Sequence, residues 1–113
     1  MSKIHRGDVW WVDFGNPIGR EQAGYRPAVV VSADALNASA AGVVIVVPCT
    51  TSARGLPSHI ELDAAAGLRE VSYAKAEDVK SVSVERLVER AGGVTDEALF
   101  ALTRALRFML DIP

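Results

Sequence analysis

Two short stretches carry the residues whose types and spacing could do chemistry. EQAGYRPAVVVS, residues 21 to 32, sets Glu21, Gln22 and Arg26 ahead of an unbroken apolar run, and PCTTS, residues 48 to 52, sets Thr50 at the end of another. A carboxylate can take up a proton, a guanidinium offers a planar fork of donors to an anionic oxygen pair, and a hydroxyl adds one more donor. If the two apolar runs are antiparallel strands, Glu21, Arg26 and Thr50 meet at one rim. The plainer alternative is a loop glutamate paired with Arg26 and a threonine capping a turn, and spacing alone leaves both open.

Other candidate chemistry is weaker. Cys49 could act as a nucleophile with His59 as its base, which needs the two side chains within hydrogen-bond reach; a single cysteine after an apolar strand reads more simply as a small buried hydrophobe. His5 and His59 have neither metal-ligand spacing nor clustered carboxylates, and no glycine-rich phosphate cradle occurs. Trp10 and Trp11 could stack on bases. Trp10 shares a strand face with Val12 and Phe14, so Trp11 is the better candidate for contact. Glu85, Glu89, Asp96 and Glu97 read as a solvated acidic face.

The elements that must position these groups are short. GDVWWVDF, residues 7 to 14, alternates as a strand, with Trp10, Val12 and Phe14 toward a core and Val9, Trp11 and Asp13 opposite. GNPIGREQAG follows as a long exposed loop. PAVVVS, residues 27 to 32, is apolar on both faces and so a central strand, with Pro27 at its first position; GVVIVVP, residues 42 to 48, is a second, stopped by Pro48. Between them lies a turn or one short helix that Ser32 or Asp34 could cap. SHIELD is a half-exposed strand with Ile60 and Leu62 inward and His59, Glu61 and Asp63 outward. VSYAKA is a weaker strand, and SVSVERL carries a turn of helix. Thr95 caps an amphipathic helix whose stripe is Leu99, Leu102, Leu106, Met109 and Leu110, ending near Pro113. Short strands with one terminal helix predict a mainly β fold, a compact, partly open β-barrel with the helix packed against it.

At 113 residues the chain reads as a single domain, residues 1 to 113, with one core. Half its residues are hydrophobic, a surplus for so small a domain that suggests a homo-oligomer. No long uncharged apolar run occurs, and the start MSKIHRGD lacks a signal-peptide core, so the expected location is cytoplasmic, with no membrane partner. The lone cysteine excludes an internal disulfide. A net charge of −2 argues against a broadly basic nucleic-acid binder, although Lys3, His5, Arg6, Arg20 and Arg26 crowd the first quarter while eight of the fourteen acids lie from Glu70 onward.

The ordered set RGDVWWVDF, GREQAGYRPAVVVS, VVPCTTSARGLPSHIELD and EDVKSVSVERL resembles, over nearly the whole chain, the MazF/PemK family of toxins from bacterial toxin-antitoxin modules. The resemblance implies an SH3-like barrel with a C-terminal helix, a homodimer, and a sequence-specific endoribonuclease that cuts single-stranded mRNA with no metal or cofactor. It also implies a cognate MazE-like antitoxin whose acidic tail occupies the RNA groove. The arginine of the family's RP motif falls on Arg26, the threonine of its PxT motif on Thr50, and the glutamate of its EQ pair on Glu21, beside Gln22. Asp78 stands where many relatives carry glutamine, so the cleavage chemistry carries over and the RNA sequence preference does not.

Metal-free cleavage of RNA uses the substrate's own 2′-hydroxyl against the adjacent phosphate. Arg26 would then stabilise the doubly charged phosphorane and Thr50 would donate to the same phosphate. Glu21 would be the base if its loop closes, Arg26 itself being the alternative. The loops 15 to 24 and 51 to 58 would read the RNA, with Thr51 and Ser52 beside Thr50 and with Trp11, Arg20, Arg54, Asp78 and Lys80 as further contacts. Two rival functions in other classes are a DNA gyrase poison of the CcdB type, which shares the fold, and a barrel that binds RNA or a partner without cutting.

Overall fold

The computed structural model describes residues 3–15 and 24–113. Seven strands, β1 (Asp8–Asp13), β2 (Tyr25–Val30), β3 (Val43–Thr50), β4 (His59–Leu62), β5 (Ser72–Lys75), β6 (Lys80–Ser83) and β7 (Leu87–Gly93), join a short helix α1 (Asp34–Asn37) and a C-terminal helix α2 (Asp96–Met109). The strands form one sheet in the order β4-β5-β3-β2-β1-β7, with β6 also paired to β3. All pairings are antiparallel. The sheet curls without closing, which is the partly open barrel expected of the sequence.

Both faces of the sheet are packed, which explains why β2 and β3 are apolar without alternation. Val9, Val29, Val47, Cys49 and Leu62 pack with Leu102 of α2 on one side. Val12, Phe14, Ala28, Val30, Val44 and Val46 form a second cluster on the other. Val9, expected opposite the core face, is thus fully buried, because its side of β1 faces the helix-covered cluster. Register shifts in the β1–β7 pairing at Val9/Trp10 and Trp11/Val12 bend β1 between the two.

Three local expectations fail for identifiable reasons. β3 does not stop at Pro48: its outer flank pairs with β6 through Val46 and with β5 from Cys49, so the proline falls where that flank changes partner. Neither Ser32 nor Asp34 caps α1, whose N-cap is Ala33 without a side-chain bond; Ser32 Oγ donates to Asn37 Oδ1, and Asp34 Oδ1 accepts the Arg6 N–H. In α2 the Thr95 cap forms, its hydroxyl accepting the Ala98 N–H at 3.2 Å. The expected stripe buries Leu102, whereas Met109 and Leu110 are exposed. Among the described residues, no helix is long and apolar enough to cross a membrane.

Candidate active site

Arg26 and Thr50 come together through the register of the two central strands. Ala28 faces Pro48, Val29 faces Val47 and Val30 faces Val46; carried two positions further, the same register sets Arg26 opposite Thr50. Alternation then puts both side chains on one face. They line one cavity of about 370 Å³, together with Tyr25, Thr51 and Ser72, where β2 begins, β3 ends and β5 begins.

Arg26 is exposed and Thr50 half-buried. Thr50 Oγ1 accepts the Ser52 N–H at 3.2 Å, so an oxygen lone pair is engaged and the hydroxyl proton can be donated into the cavity. That contact also ties the start of the 51 to 58 loop to the strand end.

A second cavity of about 290 Å³ adjoins the first, sharing Pro27, Thr51 and Ser72 and adding Trp11 and Arg69. Trp11 is half-buried and stacks on Tyr25, with ring centroids 5.1 Å apart and planes 16° from parallel. Trp10, by contrast, leans on the second core cluster and donates its indole N–H to the buried Asp8 carboxylate at 3.2 Å.

The structure therefore gathers Arg26, Thr50, Thr51 and Trp11 along one groove, with Ser52 held to Thr50. Arg54 is exposed in the same loop but lines neither cavity. Lys80 sits over the Phe14 ring, 5.6 Å from its centroid, near the point where the Phe14 N–H bonds the Gly24 carbonyl and closes the loop base. Asp78 pairs with Lys75 Nζ at 2.9 Å. Glu21, Gln22 and Arg20 lie outside the described residues. Tyr25, Arg69 and Ser72 were missed, because their place in the groove depends on a cross-strand register that composition does not carry.

Cys49 borders the first cavity, yet its thiol is turned into the core and 1% exposed. Burial pushes its pKa up to about 12, against a smaller lowering from a Val29 backbone hydrogen bond. Such a thiol carries almost no thiolate near neutrality, so it is not a nucleophile. His59 bonds Glu77 rather than Cys49, Nε2 lying 2.8 Å from Oε2. Its side chain is only 2% exposed, although the strand pattern placed it outward, and it is held by Glu77, whose other carboxylate oxygen accepts from Ser58 Oγ. Desolvation raises the Glu77 pKa, but hydrogen bonds from His59, its own backbone and Ser58, with the His59 charge, bring it below the ordinary value. Among the described residues, no group of three or more His, Cys, Asp or Glu side chains converges as metal ligands would.

An open seven-stranded barrel with a polar cavity at the strand ends, holding arginine and threonine from adjacent strands, defines a class of small toxin folds. The chain belongs to the PemK-like, MazF-like toxins of type II toxin-antitoxin systems, whose family profile matches residues 5–110. It is 39% identical over 115 aligned residues to endoribonuclease MazF9 of Mycobacterium tuberculosis, covering 96% of this chain and 98% of that protein. Among solved structures, MazF of Deinococcus radiodurans superposes with a TM-score of 0.84 at 28% identity, covering 96% of this chain and 97% of that one. A mycobacterial endoribonuclease solved in complex with its cognate antitoxin gives 0.82 at 25% identity, covering 97% of both chains.

Proposed function

We propose that this toxin is a sequence-specific endoribonuclease that cuts single-stranded mRNA in the cytoplasm and is silenced by a cognate MazE-like antitoxin. The observation that carries the reading is the placement of Arg26 and Thr50 in one cavity, in a chain whose relatives are named endoribonucleases. The antitoxin reading draws on the relative solved with its antitoxin. A homodimer is supported by the apolar side chains that α2 and the chain end leave in water, with Phe108 87% exposed and Leu110 and Ile112 also exposed. A second copy covering them would bury area that one small domain cannot.

In the proposed reaction the substrate's 2′-oxygen bonds to the adjacent phosphorus as its proton passes to a base, and the bond from phosphorus to the 5′-oxygen breaks as that oxygen takes up a proton from water. A 2′,3′-cyclic phosphate and a 5′-hydroxyl result. The planar donor fork of Arg26 matches two phosphoryl oxygens, which suits the doubly charged phosphorane. Thr50 donates to the same phosphate. Glu21 is the proposed base, with Arg26 as the alternative, and an acidic limb of the pH-rate profile left unchanged in Glu21→Gln would remove Glu21 from that role.

Incubating the purified protein with mixed-sequence single-stranded RNA in excess chelator tests the reading. Cyclic phosphate and 5′-hydroxyl ends are expected. RNA left intact, with DNA gyrase trapped instead, would overturn it in favour of a gyrase poison; intact RNA that is merely bound would leave a non-catalytic barrel.

A further inference from the structure

We propose that Arg69, with the stacked Trp11 and Tyr25, forms a subsite that holds the nucleotide next to the scissile phosphate; this rests on the ribonuclease reading above. The two cavities share Pro27, Thr51 and Ser72, so a strand whose phosphate lies against Arg26 and Thr50 continues over Thr51 into the second cavity. What meets it there is chemically matched to a nucleotide.

One wall is aromatic. Trp11 lines the second cavity, and Tyr25, which is 52% exposed and lines the first, stacks on it with the rings nearly parallel at 5.1 Å. The stacking fixes the tyrosine plane, and the open face offers an unstacked base a π-surface without selecting its identity. The second cavity is also lined by a cation: Arg69 borders it, is exposed and has no ion-pair partner among the described residues. A guanidinium with no ion pair to another described residue can take a phosphate without breaking one of those bonds. Glu70 beside it supplies an acceptor for a base amino group and would repel a second phosphate.

The backbone that carries the cation is also held in place. Gly67 approaches β7 so closely that a Cβ there would lie 2.0 Å from the Ala91 carbonyl oxygen, and a Cβ on Gly92 would lie 2.4 Å from the Ala65 oxygen. This backbone-on-backbone seat fixes the turn from which Leu68, Arg69 and Glu70 project. Arg69 is therefore presented from a locked turn, and little backbone order need be gained on binding.

The test uses mixed-sequence single-stranded RNA with fluorine in place of every 2′-hydroxyl, which can bind but has no nucleophile, measured by anisotropy across a salt series. Arg69→Ala should weaken binding about tenfold and make the plot of log affinity against log salt shallower by about 0.7, the slope of one phosphate contact. Arg69→Lys should restore the slope. Tyr25→Leu should lose about tenfold in affinity with its slope unchanged. A purely structural role for either residue would not produce that split. Arg69→Ala and Tyr25→Leu proteins that bind as the wild type does would overturn the subsite. Cleavage of unmodified RNA by wild-type protein, run alongside, separates the two failures. If RNA is cut and the variants bind normally, the subsite alone falls. If RNA is never cut but the variants bind as expected, the subsite stands as an RNA groove and the ribonuclease reading falls.

Discussion

The buried thiol of Cys49 gives a test with a magnitude. Its pKa moves from an ordinary 9.0 to about 12, so near neutrality the folded protein holds about a thousandfold less thiolate at this position than an unburied cysteine would. The unfolded chain loses the proton near pH 9 and the folded chain keeps it until about 12. Between those values the unfolded state therefore binds fewer protons, and stability must fall as pH rises. The contribution is fully present below pH 9 and declines by about 1.4 kcal/mol per pH unit above it, amounting to about 2 kcal/mol at pH 10.5.

Cys49→Ala removes the titration at a fixed packing cost. Urea unfolding of both proteins in reductant should show wild type more stable at pH 8, with its advantage shrinking by about 2 kcal/mol by pH 10.5. Taking the difference between the two proteins cancels the tyrosines and lysines that titrate in the same range. Iodoacetamide should label Cys49 only as fast as the protein opens, and RNA cleavage should persist meanwhile. A pH-independent stability difference, or rapid labelling of folded protein that abolishes cleavage, would refute the inert thiol and return Cys49 to the list of nucleophiles.

The other expectations concern the cavity, its supporting turn and the His59 clasp. Arg26→Ala should cut at about one hundredth to one thousandth of the wild-type rate while melting normally, because it removes charge stabilisation at the phosphorane and leaves an exposed site; an equally active variant would remove Arg26 from the reaction. Thr50→Val keeps the side-chain shape and loses the donor, so its cleavage rate should drop about ten- to a hundredfold. Gly92→Ala should destabilise by more than about 1 kcal/mol, seen as a lowered melting temperature, because its Cβ would enter the 64 to 67 turn; Gly67→Ala, with φ +73° and a closer clash, should lose more. The depressed Glu77 carboxyl contributes stability that is present above its unfolded pKa and lost as pH falls through the lower folded value. Glu77→Gln should accordingly flatten the acid side of the stability profile, and an unchanged acid limb would mean the His59 clasp carries nothing.

What could be read in advance followed from how each element buries itself. Runs apolar on both faces marked β2 and β3 as central, since only a strand covered on two sides needs no polar face. Thr95 marked the start of α2 because hydroxyl and first-turn acids satisfy the same orphan amides. β7 was invisible: Leu87–Gly93 reads LVERAGG, with two glycines and three consecutive exposed residues, and it is a strand because β1 and the 64 to 67 turn seat against its backbone. His59 was misjudged for a related reason. Alternation predicts which way a side chain leaves its own strand, not whether a distant segment such as Ala76–Asp78 then bonds to it.

The site was legible in part for the same physical reason. Arg26 and Thr50 stand out because each follows or precedes an apolar strand on which a charged or hydroxyl side chain has no packing use, and the β2–β3 register converts that into proximity. Arg69 and Tyr25 have no such contrast, sitting among other polar or aromatic residues in turns. They matter only once the curl of the sheet brings β1, β2 and the 67 to 70 segment to one groove. The curl also answers the objection raised by the net charge of −2. Steering by total charge would disfavour RNA, but contact energies depend on the few cations within a Debye length of the strand, about 8 Å at physiological salt. Arg26 and Arg69 line adjoining cavities, with Glu70 beside Arg69 and Glu89 opposite Trp11 in the β1–β7 register as the local acids, while Glu85, Asp96 and Glu97 lie on exposed positions of α2 and the turn before β7. RNA affinity should therefore fall as salt rises despite an acidic protein. A flat salt response would mean that the groove holds RNA through stacking alone and that Arg26 does not contact phosphate.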